Sequence, residues 1–278
     1  MTLSTTTTAL IQSQVSSLLV QPLEQASVVL AAGPQIFNSS EPLRIPKVTA
    51  GINAGFVAEN AEITAADVTF GEINLMPSNR TSIKALTKFS NEMLRQSVVG
   101  LDATLKTRLV TDVSNALDTA LLTGAGTANS ITGIQNQTGV QTGVLDVADP
   151  DSLLDAIALA HAEEVTPSRW FLSGADFIAL RKLKESTGSS KYLLESNVHA
   201  DATYSLFGIP VTVTNKLATG KAILADMSQV AVVRDIDPSV TILPERYAEF
   251  DQVGIRVVCR YDVGLLHPKG VVVLTDAV

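Results

Sequence analysis

His161 and Glu164 are the pair whose types and spacing come nearest to a metal site, because an i, i+3 interval on a helix would put an imidazole and a carboxylate on one face. No third ligand stands at a comparable spacing, and a zinc site needs at least three protein donors. The expectation is therefore a solvated helix end with no metal. His199 and His267 stand alone and read as surface or turn residues. Asp226 and Asp262 end or follow β-like runs, where turn chemistry accounts for a carboxylate without any acid–base role. The single cysteine, Cys259, lies in the alternating run Ile255-Arg-Val-Val-Cys-Arg-Tyr and reads as a buried, inert thiol. One cysteine also excludes an intrachain disulfide and a multi-thiolate zinc site.

Motifs for nucleotide and acyl chemistry fail at definite positions. Gly220-Lys221 is followed by Ala222, so the hydroxyl that would hold magnesium is missing. The glycine-rich stretch Gly124-Ala-Gly-Thr-Ala-Asn carries Asn129 where a dinucleotide fingerprint requires glycine. There is no Gly-x-Ser-x-Gly elbow and no His-Glu-x-x-His. These readings point to a protein without cofactor and without catalysis. The rival is a small-molecule α/β enzyme working through His161 or Asp226, which a thermal shift with added metals would reveal.

The elements around these residues suggest a structural role. The 278-residue chain is 46% hydrophobic and 17% charged, with a net charge of −8. A charged fraction below the usual quarter suits a protein that buries much of its surface, partly against copies of itself. An acidic chain is a poor binder of duplex nucleic acid, whose affinity rests on neutralising phosphate. No run is long and apolar enough for a bilayer, and no basic residue precedes Arg44, so neither a span nor a secretory signal is expected. The reading is a soluble product made in the cytoplasm.

Leu101, Leu105, Leu109, Val113, Leu117 and Leu121 form an unbroken i, i+4 series, which predicts one helix over 98–122, about 37 Å long at 1.5 Å per residue. Each step turns the apolar line by about 40°, so the strut passes from one packing neighbour to another. Gly124 is expected to end it in the left-handed conformation. Before Arg44 the only charges are Glu24 and Glu41, while Leu10, Ile11, Val15, Leu18 and Leu19 form a helix-like apolar group and Val28 to Ala32 a second. Such an arm either folds back on its own domain or lies along a neighbour, and the second is preferred.

Residues 46–89 alternate like a long hairpin, with Val68, Phe70, Ile73 and Leu75 on one strand, a Pro77-Ser-Asn turn, and Ile83, Leu86 and Phe89 on the other. Residues 134–234 read as α/β. One helix starts at Asp149-Pro150-Asp151-Ser152 and runs to about Glu164, Trp170-Phe-Leu is a strand, and Ser173 caps a second helix. Strands follow at 209–213, 222–226 and 230–234, and then at 239–243, 253–261 and 271–274.

Taken in order, five stretches resemble the major capsid proteins of tailed bacteriophages, with the Hong Kong 97-type shell fold. They are Ala54 to Phe70, similar to the family's approach to its extended E-loop, and Ser90-Asn-Glu-Met-Leu-Arg-Gln-Ser, similar to the lead into its spine helix. Next come Ala116 to Gly126 with Thr132-Gly-Ile, and Leu206-Phe-Gly-Ile-Pro-Val-Thr-Val with Ala222-Ile-Leu-Ala-Asp-Met. The last is the returning strand, Phe250 to Pro268.

The resemblance implies an α+β fold with an N-terminal arm (1–45), an E-loop hairpin (46–89) and a P-domain with a long spine helix (90–133 and 235–265). The A-domain, with its central mixed sheet, would comprise 134–234 and 266–278. It implies a head protein that assembles through hexamers and pentamers into an icosahedral shell around double-stranded DNA, held without specific binding. An encapsulin-type compartment around an enzyme cargo is the alternative.

Subunit contacts would fall at Val68, Phe70, Ile73, Leu75 and Arg80 of the E-loop and at Leu10, Ile11, Leu18 and Leu19 of the arm. Glu245, Arg246 and Glu249 of the P-domain turn would add a third set. Separate scaffold, portal and decoration proteins are implied partners, with no membrane. The location is the virion, after synthesis in the bacterial host cytoplasm. Some relatives cross-link through an E-loop lysine; none lies between Lys47 and Lys84, so that bond is not expected.

Overall fold

A computed structural model of the chain describes residues 27–50, 56, 69–76, 82–92, 101–127, 130–185, 191–193, 204–243 and 245–276. An apolar 3-10 turn, Leu30–Ala32, opens them and stops at Gly33 in the left-handed region. Then come β1 (Gln35–Asn38), β2 (Leu43–Ala50), β3 (Thr69–Leu75), β4 (Ile83–Ser90) and α1 (Leu101–Thr123). Downstream lie β5 (Gln141–Leu145), α2 (Asp151–Ala162), β6 (Arg169–Leu172), α3 (Gly174–Arg181), β7 (Ser205–Leu206), β8 (Ile209–Val213) and β9 (Lys221–Ala225). The chain closes with β10 (Val230–Leu243), β11 (Gln252–Leu265) and β12 (Val271–Asp276).

Two sheets carry the body. The four-stranded one has the order β1-β10-β11-β4, and the six-stranded one β5-β12-β9-β6-β8-β7. In the second, β5, β12, β6 and β8 run parallel while β9 and β7 run against them. α1 is the expected strut, and Val113, Leu117 and Leu121 continue its i, i+4 line into the core together with Leu122. The cluster they enter draws on both sheets, with Val257, Cys259 and Tyr261 from β11 and Phe171, Ile223 and Val271 from the six-stranded sheet. A helix whose apolar line drifts can serve two layers in this way. The opposite face of the six-stranded sheet is covered by α2 through Leu153, Ala156 and Ala160, and by α3 through Phe177 and Leu180.

Local chemistry sets the ends of these helices. Ser173 caps α3, its hydroxyl accepting the Asp176 N–H at 3.1 Å and donating to the Asp176 carboxylate at 2.8 Å. The same carboxylate accepts the N–H of Gly220 at 2.9 Å, which ties the helix start to the loop before β9. α2 begins at Asp151 with Pro150 as its cap, one position outside the helix rather than at its first residue. It ends at Ala162.

Several expectations are corrected. β3 pairs with β2, not with β4; β4 instead joins β11 in the four-stranded sheet. Alternation marks a strand but names no partner. The runs at 230–234 and 239–243 are one strand, and the gap expected between them, which holds Pro238, is a pair of register shifts between Arg234 and Ser239. Proline lacks the N–H that a regular ladder would need there.

Gly124 is not left-handed. A Cβ on it would run into the carbonyls of Ile131 and Ala120, and one on Gly133 into Gly124 N and the Leu122 carbonyl. The two glycines let the segment Ile131–Gly133 cross the last turn of α1 in direct backbone contact, with Gly133 N–H donating to Gly124 O at 2.9 Å. β5 went unread because Gln-Thr-Gly-Val-Leu is short and half polar; it is held at the sheet edge by β12.

Candidate assembly surfaces

β2 and β3 form a two-stranded flap, and among the described residues no third strand joins it. Such a ribbon is marginal alone, so its root matters. Leu75 is 3% exposed and, with Met76, packs on Ala231 and Val233 of β10. Leu75 therefore faces its own body, as an anchor and not as surface offered to a neighbour. Gly264 of β11 makes this approach possible, because a Cβ there would collide with the Leu75 side chain. Met76 turns the chain with φ 55°, and its N–H donates to the Asp262 carboxylate at 2.6 Å. Burial pushes the Asp262 carboxyl above its ordinary value of 3.8, and the N–H groups of Met76 and Val263 offset that only in part.

Farther along the flap Ile73 is half-buried and Phe70 is 74% exposed. Arg44 faces Glu72 at 3.8 Å with both side chains open to solvent, a pair of little energetic weight. Val68 and Arg80 lie outside the described residues.

The second surface is the turn between β10 and β11. Glu245, Arg246 and Glu249 are exposed there, beside Phe250 at 70% exposure. The turn is pinned from within. A Cβ on Gly254 would meet the Tyr247 ring, so that ring lies directly over the β11 backbone. Asn91 donates through its side chain to the Asp251 carboxylate at 2.6 Å and through its N–H to the Asp251 carbonyl at 2.9 Å.

The end of the arm is docked on its own domain, contrary to the preferred expectation. Asp118, buried on α1, accepts from the Ser27 hydroxyl at 2.6 Å and the N–H groups of Val28 and Val29 at 2.9 and 3.2 Å. β1 then runs parallel to β10. Leu10, Ile11, Leu18 and Leu19 lie outside the described residues. Sequence reasoning missed Asp118, although a signal was present: Ser114 and Asp118 fall on a second i, i+4 line that ends in Leu122, and all three are buried.

The residues that could have done chemistry have other roles. α2 ends before Glu164, whose φ of 57° takes it off the helix, so it does not share a helix face with His161. Asp226 caps a 3-10 turn by accepting the Ser228 N–H at 3.0 Å. Cys259 is buried, and burial pushes its thiol up to about 12. His267 precedes the 3-10 turn Pro268–Gly270. His199 lies outside the described residues. Among the described residues no cluster of three metal-ligating side chains forms, and no helix is long and apolar enough to cross a membrane.

A family model described as the Phage capsid family matches residues 7–276. The major capsid protein of Klebsiella oxytoca phage phiKO2 is 22% identical over 291 residues, covering 96% of this chain and 67% of that protein. Among solved structures, the capsid of a native GTA particle superposes with a TM-score of 0.73 at 17% identity, over 90% of both chains. A chain from Microbacterium phage Oxtober96 gives 0.73 at 17% identity, over 90% of this chain and 91% of that one. One from Mycobacterium phage Adephagia gives 0.70 at 18% identity, over 91% and 90%.

Proposed function

The chain belongs to the Phage capsid family and carries its Hong Kong 97-type shell fold, and from that premise we propose how a major capsid protein of this sequence builds its shell. The curated relative and the solved neighbours are phage and particle capsids, which lends the enzyme-compartment alternative no support.

In the proposed division of labour, the flap is the E-loop and is laid over an adjoining subunit. The four-stranded sheet with α1 is the P-domain, and the six-stranded sheet with α2 and α3 is the A-domain around which hexamers and pentamers close. The observation that carries this reading is the contrast within the flap. Its root is bolted down by Leu75, Met76 and Asp262, while among the described residues no third strand pairs with its body and Phe70 stands in solvent. Covering Phe70 contributes about 1.5–3 kcal/mol per subunit, and the neighbour completes a sheet that two strands do not sustain. Val68 and Arg80 belong to the same contact, whereas Ile73, packed with Leu75 against the body, belongs to the root; Glu245, Arg246 and Glu249 form a second contact between capsomers. Leu10, Ile11, Leu18 and Leu19 are assigned to a third, along a neighbouring subunit. Contacts repeated head to tail close into rings, and rings into a shell.

Double-stranded DNA is the proposed content, enclosed without specific binding, since a subunit of net charge −8 tolerates a packed polyanion instead of gripping it. Portal, scaffold and decoration proteins are the proposed partners, with synthesis in the bacterial host cytoplasm and assembly without catalysis by the subunit itself. Negative-stain microscopy and sedimentation of the purified protein test this: capsids, tubes or rings are expected from the wild type, and Phe70→Asp is expected to fold and to assemble poorly. A wild-type protein that stays monomeric at high concentration would overturn it.

A further inference from the structure

The six-stranded sheet ends in opposite chemistry on its two sides. On the β5 side, residues 141–168 hold Asp146, Asp149, Asp151, Asp155, Glu163 and Glu164 and no lysine or arginine; Lys269, beside β5, pairs with Glu163 at 3.3 Å, so the acidic excess is carried by the other five. All six carboxylates are on exposed residues. β5 is an edge strand, and beside it α2 borders an open groove of about 500 Å³ with Gly143, Ala158 and Ala162 among its lining and Asp155 at its side. Val144 and Leu154, also at this edge, are exposed apolar residues.

On the other side, α3 ends in Arg181 and is followed by Lys182 and Lys184. The Arg181 guanidinium lies over the rings of Phe177 and Tyr204, at 5.7 and 5.5 Å. Tyr204 is exposed beneath it, and Ile178 on α3 and Phe207 beyond β7 are exposed on the same side of the sheet. Phe207 is the informative residue. With Gly208 it makes the two-residue turn between β7 and β8, at φ 51° where Asn or Gly is the usual occupant. A bulky side chain in that region is strained, and 42% of this one stays open to solvent, so within the isolated subunit packing returns only part of that cost.

We infer that within a ring the Phe207–Arg181 edge of one copy seats in the acidic α2–β5 groove of the next. The inference rests on the shell reading above and adds the partner surface and its charge logic. Opposite edges of a six-stranded sheet stand about 24 Å apart, five strand spacings of about 4.8 Å. Complementary patches at that separation on one molecule give a head-to-tail contact, which closes as a ring and not as a two-fold dimer. The groove's small residues admit an aromatic knob, and Asp155 in its wall, with Asp151 one turn earlier on α2, meets the basic end of α3.

The test uses the full-length protein and reads the fraction in rings or larger assemblies by sedimentation velocity and native mass spectrometry. D151K/D155K and K182E/K184E each place like charges across the contact and are expected to lower that fraction at least about tenfold. An equal mixture of the two variants restores it, because every contact between unlike copies then pairs opposite charges. Native masses of restored rings with an even number of copies should show the two variants in equal numbers. Phe207→Asn relieves the turn, so its dissociated subunit is expected to melt no lower than wild type while its ring fraction falls.

Single-edge variants that assemble like wild type, or a mixture as defective as its components, would overturn the inference. Should the charge variants not fold, Phe207→Asn decides alone: normal assembly overturns the contact, and lost assembly with an unchanged melt supports it. Wild-type assembly in the same runs separates these outcomes from a failure of the shell reading itself.

Discussion

Replacing Asp118 by alanine removes one acceptor from three donors: the Ser27 hydroxyl and the N–H groups of Val28 and Val29. Ser27 and Val29 are fully buried. If the segment stays docked, two buried donors lose their partner at about 1–3 kcal/mol each, so about 2–6 kcal/mol together. If it leaves, Val29 and Leu30 come out of the core at about 1.5–3 kcal/mol each, or about 3–6 kcal/mol, and the short ladder of β1 with β10 is lost as well. The two routes lie close together, so the variant is expected to divide between docked and detached forms instead of unfolding as a whole.

In wild type, detachment loses both the burial and the hydrogen bonds; in the variant it loses only the burial. Amide exchange across 29–38 should therefore speed up at least about thirtyfold, taking 2 kcal/mol at 1.4 kcal/mol per decade, while α1 and β11 keep their protection. Asp118→Asn retains one acceptor oxygen and should fall between. Exchange over 29–38 that stays at the wild-type rate in Asp118→Ala would refute the reasoning, since the carboxylate would then hold nothing.

Three further outcomes are expected. Gly133→Ala forces a methyl into the backbone of Leu122 and Gly124, so it should destabilise by about 1–3 kcal/mol or more, seen as a lower melting temperature of the subunit. Asp262 has a folded-state pKa above its unfolded one, so the folded chain binds its proton more readily and this group's contribution to stability declines as pH rises through the window from 3.8 to the raised value. Asp262→Asn removes that dependence while losing one acceptor. The melting difference, variant minus wild type, should thus become more favourable with pH across the window, and a constant difference would show that the charge is not penalised. Cys259, with its thiol pushed up to about 12, should resist a thiol reagent at neutral pH until the chain is unfolded, and rapid labelling of the native subunit would contradict its burial.

Much of the fold was legible because it rests on local periodicity. The α1 line, the capping serine at 173, the strand at Trp170 and the apolar tail at 271–274 each carry their own signal and appear where expected. Pairing was not legible, because β2, β3 and β4 all alternate and only the body decides which two join; Gly264 and Met76 settle it by fixing where β3 lands. The continuity of β10 through Pro238 was hidden because a register shift in the middle of a ladder looks like a strand end. The groups that hold the arm and the flap, Asp118 and Asp262, were legible as residues and not as roles. A carboxylate in an apolar run signals an anchor only once its hydrogen-bond partners, 89 to 91 residues away for Asp118 and 186 for Met76 with Asp262, are in place.

The antiparallel pair β10–β11 reaches from the core beside β1 toward the exposed turn at Glu245–Phe250, with one irregular step on the way. A strand of 14 residues spans about 46 Å. The irregular step between Arg234 and Ser239 sits midway, about 13–30 Å from the turn end, so each degree of bend there carries that end through about 0.2–0.5 Å. A few degrees of give would move Glu245 and Arg246 by about an ångström while every hydrogen bond beyond the step stays made. One rigid body could thus meet neighbours set at slightly different angles, with the adjustment confined to a handful of residues.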